Sequence, residues 1–254
     1  MTLVAGLIAT DGIVMAADSQ ATDLEAQIRT STPEKLAVLG THIVWGFSGA
    51  VGLKQLLRPA LEAAHAADWR RRPCADLRVP IGSCIAAVRR DVVGNMLVSN
   101  HIPGAEALFA GVTGAPGQAK PWLVEYPSDN VAEEHFKFCA VGSGKKAGYH
   151  AFETLRHYAP QERPVALAKL FLYRIMEDAI RAESQGIGGD IHLWSVTTDG
   201  AHEEATSEVQ GLAQLVDQWK RNERESLRDL MNPGGSDSLA TTASVSELEG
   251  QSQA

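Results

Sequence analysis

The sequence predicts an α+β fold, a four-layer αββα sandwich in which two antiparallel sheets lie between helical layers. Two observations predict it. The strand-like segments near the start are apolar almost without interruption, so both of their faces must be covered. The helical segments come in blocks, giving the order strands, two helices, strands, two helices, strands, one helix, which layers helices outside a pair of sheets.

The elements follow in order. Thr2–Ala9 is apolar, Thr10-Asp11-Gly12 breaks the run, and Ile13–Ala17 is apolar again, which reads as a hairpin. A three-residue loop ending at Gly12 is expected, pairing Ala9 with Ile13, Val4 with Asp18 and Thr2 with Gln20. That register puts Thr2 and Asp18 on one sheet face, whereas a one-residue slip separates them. A second hairpin joins Lys35–Leu39 to His42–Phe47 through Gly40, and Ser48-Gly49 ends it. Leu53, Leu56, Leu57, Leu61 and Ala64 then recur at helical spacing to about Asp68, with Pro59 inside the run as a candidate kink or broken start. A second helix is expected after Pro80, carrying Ile85, Val88, Val92, Val93 and Met96.

Strands are expected at Leu108–Val112, Trp122–Glu125 and Phe136–Val141, then helices over Lys145–Tyr158 and from Pro164 to about Ser184. Ile191–Thr197 reads as a strand followed by a turn at Asp199-Gly200, and the last amphipathic helix runs from about Glu208 to Met231. Residues 232–254 are rich in Ser, Gly and Ala without an aromatic, and read as a disordered tail to a single domain over 1–231.

Composition narrows the function. A chain of 254 residues, 44% hydrophobic and 21% charged, can bury one sizeable core. The net charge of −8 disfavours nucleic acid, and Arg70-Arg71-Arg72 reads as a solvated loop after a helix. Cys74, Cys84 and Cys139 are odd in number with no C-x-x-C pair, which argues against a disulfide framework or zinc ribbon and for a reducing, cytoplasmic setting. The opening MTLVAGLIATDG has no basic segment before its apolar run, so no secretory signal is expected, and no run of about 18 apolar residues suggests a membrane span. Val141-Gly142-Ser143-Gly144-Lys145-Lys146 follows a strand, but Cys139 and Lys146 stand where a phosphate loop needs Gly and Ser or Thr, so nucleotide binding is set aside. There is no G-x-S-x-G and no H-E-x-x-H, and no cofactor or metal is expected.

A threonine after the initiator Met means little alone. Here Thr2-Leu3-Val4-Ala5-Gly6 leads to Asp11-Gly12-Ile13-Val14-Met15-Ala16-Ala17-Asp18-Ser19-Gln20-Ala21-Thr22. Glu34-Lys35-Leu36, Gly46-Phe47-Ser48-Gly49-Ala50, Gly142-Ser143-Gly144 and Gly189-Asp190-Ile191 follow. These blocks, in this order, resemble proteasome β subunits and their bacterial relative HslV over about residues 2–225, with the bacterial proteasome homologue of β-proteobacteria closest. The resemblance implies an N-terminal nucleophile hydrolase, a threonine endopeptidase acting without ATP of its own inside a homo-oligomeric ring stacked as a double ring. It implies peptide or unfolded-protein substrates and names no ATPase partner.

It also implies roles. Thr2, freed of Met1, is the nucleophile and its α-amine the base, a group that titrates at about 7.7–8.0. Lys35 lowers the pKa of that amine, and Asp18 keeps Lys35 charged. Gly49 supplies an oxyanion N–H and Ser143 hydrogen-bonds the amine. Ala21, Phe47 and Val51 match pocket positions, and the bulk of Phe47 points to small or flat P1 residues. Taken singly, Lys35 reads as a surface lysine, Asp18 as a turn residue, Gly49 as a strand end and Ser143 as a helix cap. The family's Asp-x-x-Ser-Gly has no clean match in Glu183-Ser184-Gln185-Gly186-Ile187-Gly188-Gly189-Asp190, so the role of Glu183 or Ser184 stays open. The alternative function is a catalytically silent ring subunit, whose helical extension before the first strand is not expected here. A small-molecule amidase is a third reading, disfavoured because that group usually opens on Cys or Ser.

Overall fold

The computed structural model describes residues 2–23, 28–31, 34–65, 74–95, 105–114, 118–127, 131–158, 160, 162–182 and 186–231, with side chains not described at 21–31, 74–76 and 93–95. Residues 232–254, Met1, Glu183 and Ser184 lie outside the described residues, as does the expected tail. The chain divides into two compact units, Met1–Ala213 and Gln214–Ala254.

In the first unit the apolar runs become strands. β1 (Val4–Ile8) and β2 (Ile13–Asp18) form the first hairpin, β3 (Gln20–Asp23) and β4 (Ile28–Ser31) a small two-stranded sheet, and β5 (Leu36–Leu39) and β6 (Ile43–Gly49) the next hairpin. Helices α1 (Val51–His65) and α2 (Cys74–Asn95) follow, then β7 (Ala105–Thr113), β8 (Lys120–Tyr126), β9 (Glu133–His135) and β10 (Phe138–Val141). Helices α3 (Lys145–Leu155) and α4 (Val165–Ala182) precede β11 (Ile191–Thr197) and β12 (Gly200–Glu203). The last helix, α5 (Thr206–Met231), crosses into the second unit.

Two five-stranded antiparallel sheets result, ordered β10-β1-β2-β11-β12 and β5-β6-β7-β8-β9. Helices α3 and α4 cover the first and α1 and α2 the second, so the expected four-layer sandwich forms. Between the sheets lie Val4, Ile13, Met15, Ala17, Val44, Leu108, Leu123 and Val141, all buried. Gly46 lets the sheets approach here, since a Cβ at that position would lie 2.5 Å from Val4 Cγ1. Under α1 and α2, Trp45 stacks on Phe109 at 5.7 Å and Tyr126 meets Phe109 edge-on at 5.4 Å, offset and T-shaped geometries that aromatic quadrupoles favour. Every residue of β2 is buried, which is why its sequence shows no alternation.

Two expectations need correction. Helix α2 begins at Cys74, not after Pro80; buried Leu77, Ile81, Ile85 and Val88 continue one stripe through the proline. The first hairpin is also one residue out of its expected register. Ile8 faces Ile13 and Val4 faces Ala17, while Ala9 N–H donates to Gly12 O at 2.9 Å, so Thr10 and Asp11 make the turn. The reason is tertiary. Asp11 Oδ1 accepts the Val165 N–H at 2.8 Å, capping α4, and a Cβ at Gly12 would lie 2.4 Å from Val196 O. Asp11 and Gly12 thus serve helix and strand packing, not a three-residue loop.

By strict alternation this register sets Leu3, not Thr2, beside Asp18. Thr2 lies before the first residue of β1, so sheet alternation does not bind it, and the tie to Asp18 runs through the main chain, as described next.

Candidate active site

Asp18 ends β2 fully buried, a position no lone carboxylate could hold. Three donors satisfy it: Lys35 Nζ at 2.6 Å and Leu3 N–H at 2.8 Å on Oδ1, and Gly188 N–H at 3.0 Å on Oδ2. Asp18 N–H in turn donates to Leu3 O at 3.2 Å, so both ends of Leu3 are fixed by one residue. That fixes the peptide joining residues 2 and 3.

Lys35 stands just before β5 with 8% of its surface exposed. Its Nζ also donates to Gln20 O at 2.5 Å. Burial lowers its pKa from the ordinary lysine value, and the charge of Asp18 and its hydrogen bond pull the other way. An ammonium in so little water acts strongly on any neighbouring charge.

Ser143 sits in the turn between β10 and α3. Its Oγ accepts the Thr2 N–H at 3.0 Å and donates to Thr2 O at 3.4 Å, while Gly144 N–H donates to Thr2 O at 3.2 Å. Gly142 holds φ at +95°, and a Cβ there would lie 2.3 Å from Thr2 O and 2.8 Å from Ser48 Oγ. Its N–H donates to Glu106 Oε2 at 2.7 Å. Ser48 therefore borders the same turn, and Gly49 follows it, ending β6 opposite Ala105. Gly142→Ala adds a Cβ where backbone stands and forces a positive φ on alanine. The expected result is displacement of the Ser143 turn from Thr2, with peptide turnover lowered at least about tenfold and a lower melting temperature. Enzyme assay and thermal unfolding of the variant check it.

Thr2, Asp18, Lys35 and Ser143 thus meet in one hydrogen-bonded network, with Gly49 beside it. The expected pocket residues lie in β3, in β6 and at the start of α1. Phe47 is buried in the core under α1, Val51 is 61% exposed at the first position of α1, and Ala21 pairs with Thr30 in β3, its side chain outside the described residues. The sequence did not point to Gly188, which clamps Asp18 by its N–H, to the Gln20 carbonyl on Lys35, or to Glu106, which holds the Gly142 turn. Glycine near Asp190 and an acid two residues before the strand pattern at Leu108 were the only signals available. A cavity of about 800 Å³ between α4, β11 and the start of α5, walled by Glu177, Asp190 and Glu203, shares none of the network's residues. The donor geometry at residue 2, not cavity size, marks the candidate site. Two groups of potential metal ligands, Glu125/His135/Cys139 and His202/Glu204/Glu208, share no residue with it.

Two antiparallel sheets between pairs of helices, with residue 2 at the mouth of the first strand, make this a four-layer αββα sandwich. The chain belongs to the proteasome subunit family, whose pattern matches residues 2–187. It is similar to the proteasome subunit beta of Methanococcus maripaludis strains C7 and C6, 26% identical over 218 residues, covering 85% of this chain and 92% of each relative. The strain C5 protein, also a proteasome subunit beta, is 25% identical over 217 residues, with the same coverage. Among the described residues no helix is long and apolar enough to cross a membrane.

Proposed function

We propose that this chain is a threonine endopeptidase that cleaves peptide bonds within a closed ring of its own copies, in a reducing, cytoplasmic compartment. The observation that carries it is the network joining Thr2, Ser143, Asp18 and Lys35 at the first residue after Met1. With Met1 removed, the Thr2 hydroxyl attacks the scissile carbonyl and its proton passes to the Thr2 α-amine. The oxygen of the carbonyl becomes an anion, for which the Gly49 N–H is the candidate donor. Collapse expels the amine product, which takes the proton, and leaves an acyl ester on Thr2 that water hydrolyses by the same base. Lys35 tunes the amine, Asp18 holds Lys35, and Ser143 orients the nitrogen. The free thiols of Cys84 and Cys139 support a reducing setting.

Assembly is part of the same reading, because enclosure in a chamber would separate an open threonine nucleophile from the cell's folded proteins. The test combines native mass spectrometry with hydrolysis of fluorogenic peptides. A homo-oligomer that turns over peptides is expected. Assembly without turnover after confirmed Met1 removal would instead identify a silent ring subunit.

A further inference from the structure

We propose that Glu125, His135 and Cys139 form a binding site for a borderline-soft divalent metal ion, with Zn²⁺ the best fit. The three residues come from β8, β9 and β10, so the site bridges the edges of both sheets. Their ligand atoms lie within 4.8 Å of one another. His135 Nε2 stands 3.1 Å and Cys139 Sγ 3.3 Å from the same oxygen, Glu125 Oε2. Tetrahedral zinc with bonds of about 2.0–2.3 Å has ligand-to-ligand edges of roughly 3.4–3.6 Å, so the two edges that meet at Oε2 need open by only about 0.3 Å for the ion. An imidazole, a thiolate and a carboxylate are a donor set that zinc accepts and that magnesium or calcium does not favour.

Charge supports the exchange. Glu125 is buried and is now neutralised by Lys145 Nζ at 2.6 Å on Oε1, with the Cys139 thiol protonated against Oε2. Burial raises the Glu125 pKa, but hydrogen bonds from His135, Lys145 and Cys139 outweigh it and hold the group at about 2. Burial, then the Glu125 charge, pushes the Cys139 thiol up. A dication reverses that balance: it takes the thiolate, the carboxylate and a neutral imidazole, releases the thiol proton to solvent, and leaves the buried cluster neutral again. The lysine can yield its place, because 39% of its side chain is exposed at the first position of α3. The Tyr149 hydroxyl beside Cys139 is an outer-shell donor to the sulfur, and the His135 side chain, 21% exposed, leaves the cluster accessible to solvent.

The experiment is equilibrium dialysis of the intact protein against Zn²⁺ with metal analysis, paired with Co²⁺ titration read by absorption. One Zn²⁺ per chain is expected, together with a sulfur-to-cobalt charge-transfer band. Cys139→Ser removes the band while Cys74 and Cys84 remain, and His135→Ala, a partly exposed edge position safe for folding, weakens binding by about 10–100-fold or more. Lys145→Gln, which removes the competing cation, tightens binding at least tenfold. No stoichiometric binding, or affinity unchanged in His135→Ala and Cys139→Ser, overturns the site. Affinity unchanged in Lys145→Gln overturns the exchange with the lysine.

Discussion

Replacing Lys35 with alanine is expected to lower kcat for peptide hydrolysis by about 10²–10⁴-fold while the chain still folds, the usual weight of a group that sets a general base. Without the ammonium, the pKa of the Thr2 amine rises and less of it is free to accept the hydroxyl proton. Stranding one member of a buried ion pair typically costs about 3–5 kcal/mol. Here Asp18 keeps the N–H groups of Leu3 and Gly188, which reduces that penalty. Far-UV circular dichroism and thermal unfolding beside the assay separate lost chemistry from lost fold, and Asp18→Asn adds a variant that keeps an oxygen for Leu3 N–H but removes the charge. The pH profile carries the sign. Lys35 is charged below its pKa and neutral above it, so activity persists below that pKa and falls as pH rises through it. Because burial lowers it, the alkaline limb is expected below the ordinary lysine value of about 10.4. Unchanged turnover in Lys35→Ala would remove Lys35 from the mechanism.

The layers of this fold were legible because burial on both sides of a strand leaves an unbroken apolar run, as in Ile13–Ala17, and because α1 and α4 carry regular stripes such as Leu53-Leu57-Leu61 and Ala168-Leu172-Ile175-Ala179. The β3–β4 hairpin and β9 were not legible, since strands of three or four residues rich in polar side chains leave no periodicity to read. The hairpin register failed for a more instructive reason. Asp-Gly is strong turn chemistry locally, but Asp11 is claimed by the N-terminus of α4 and Gly12 by the approach of β11, contacts 150 residues and more along the chain. At the site, Thr2, Asp18, Lys35 and Ser143 were visible because each contributes a chemically distinctive side chain within an ordered block. Gly188 and Gln20 contribute only main-chain N–H and C=O, and Glu106 serves a backbone N–H, so side-chain chemistry could not reveal them.

Thr2→Ala is expected to abolish peptidase activity and Thr2→Ser to keep part of it, and intact-mass measurement of the purified protein is expected to find Thr2 at its N-terminus. The argument rests on one nitrogen. While Met1 is attached, that nitrogen is an amide whose N–H donates to Ser143 Oγ at 3.0 Å; its lone pair is delocalised into the carbonyl and does not take a proton, and Lys35 has nothing to tune. Removing Met1 makes it an amine that can accept the proton of the Thr2 hydroxyl while Ser143 still holds it in place. A small residue such as Thr at position 2 suits removal of Met1 by a general methionine aminopeptidase. Serine keeps the hydroxyl and loses the methyl that restricts its rotamer, so the nucleophile spends less time aimed at the substrate and kcat falls without vanishing. Alanine keeps the amine, Lys35, Asp18 and Ser143 but has no oxygen to form the acyl ester. If protein that retains Met1 hydrolyses peptides, or if Thr2→Ala turns over substrate at the wild-type rate, the nucleophile is another residue.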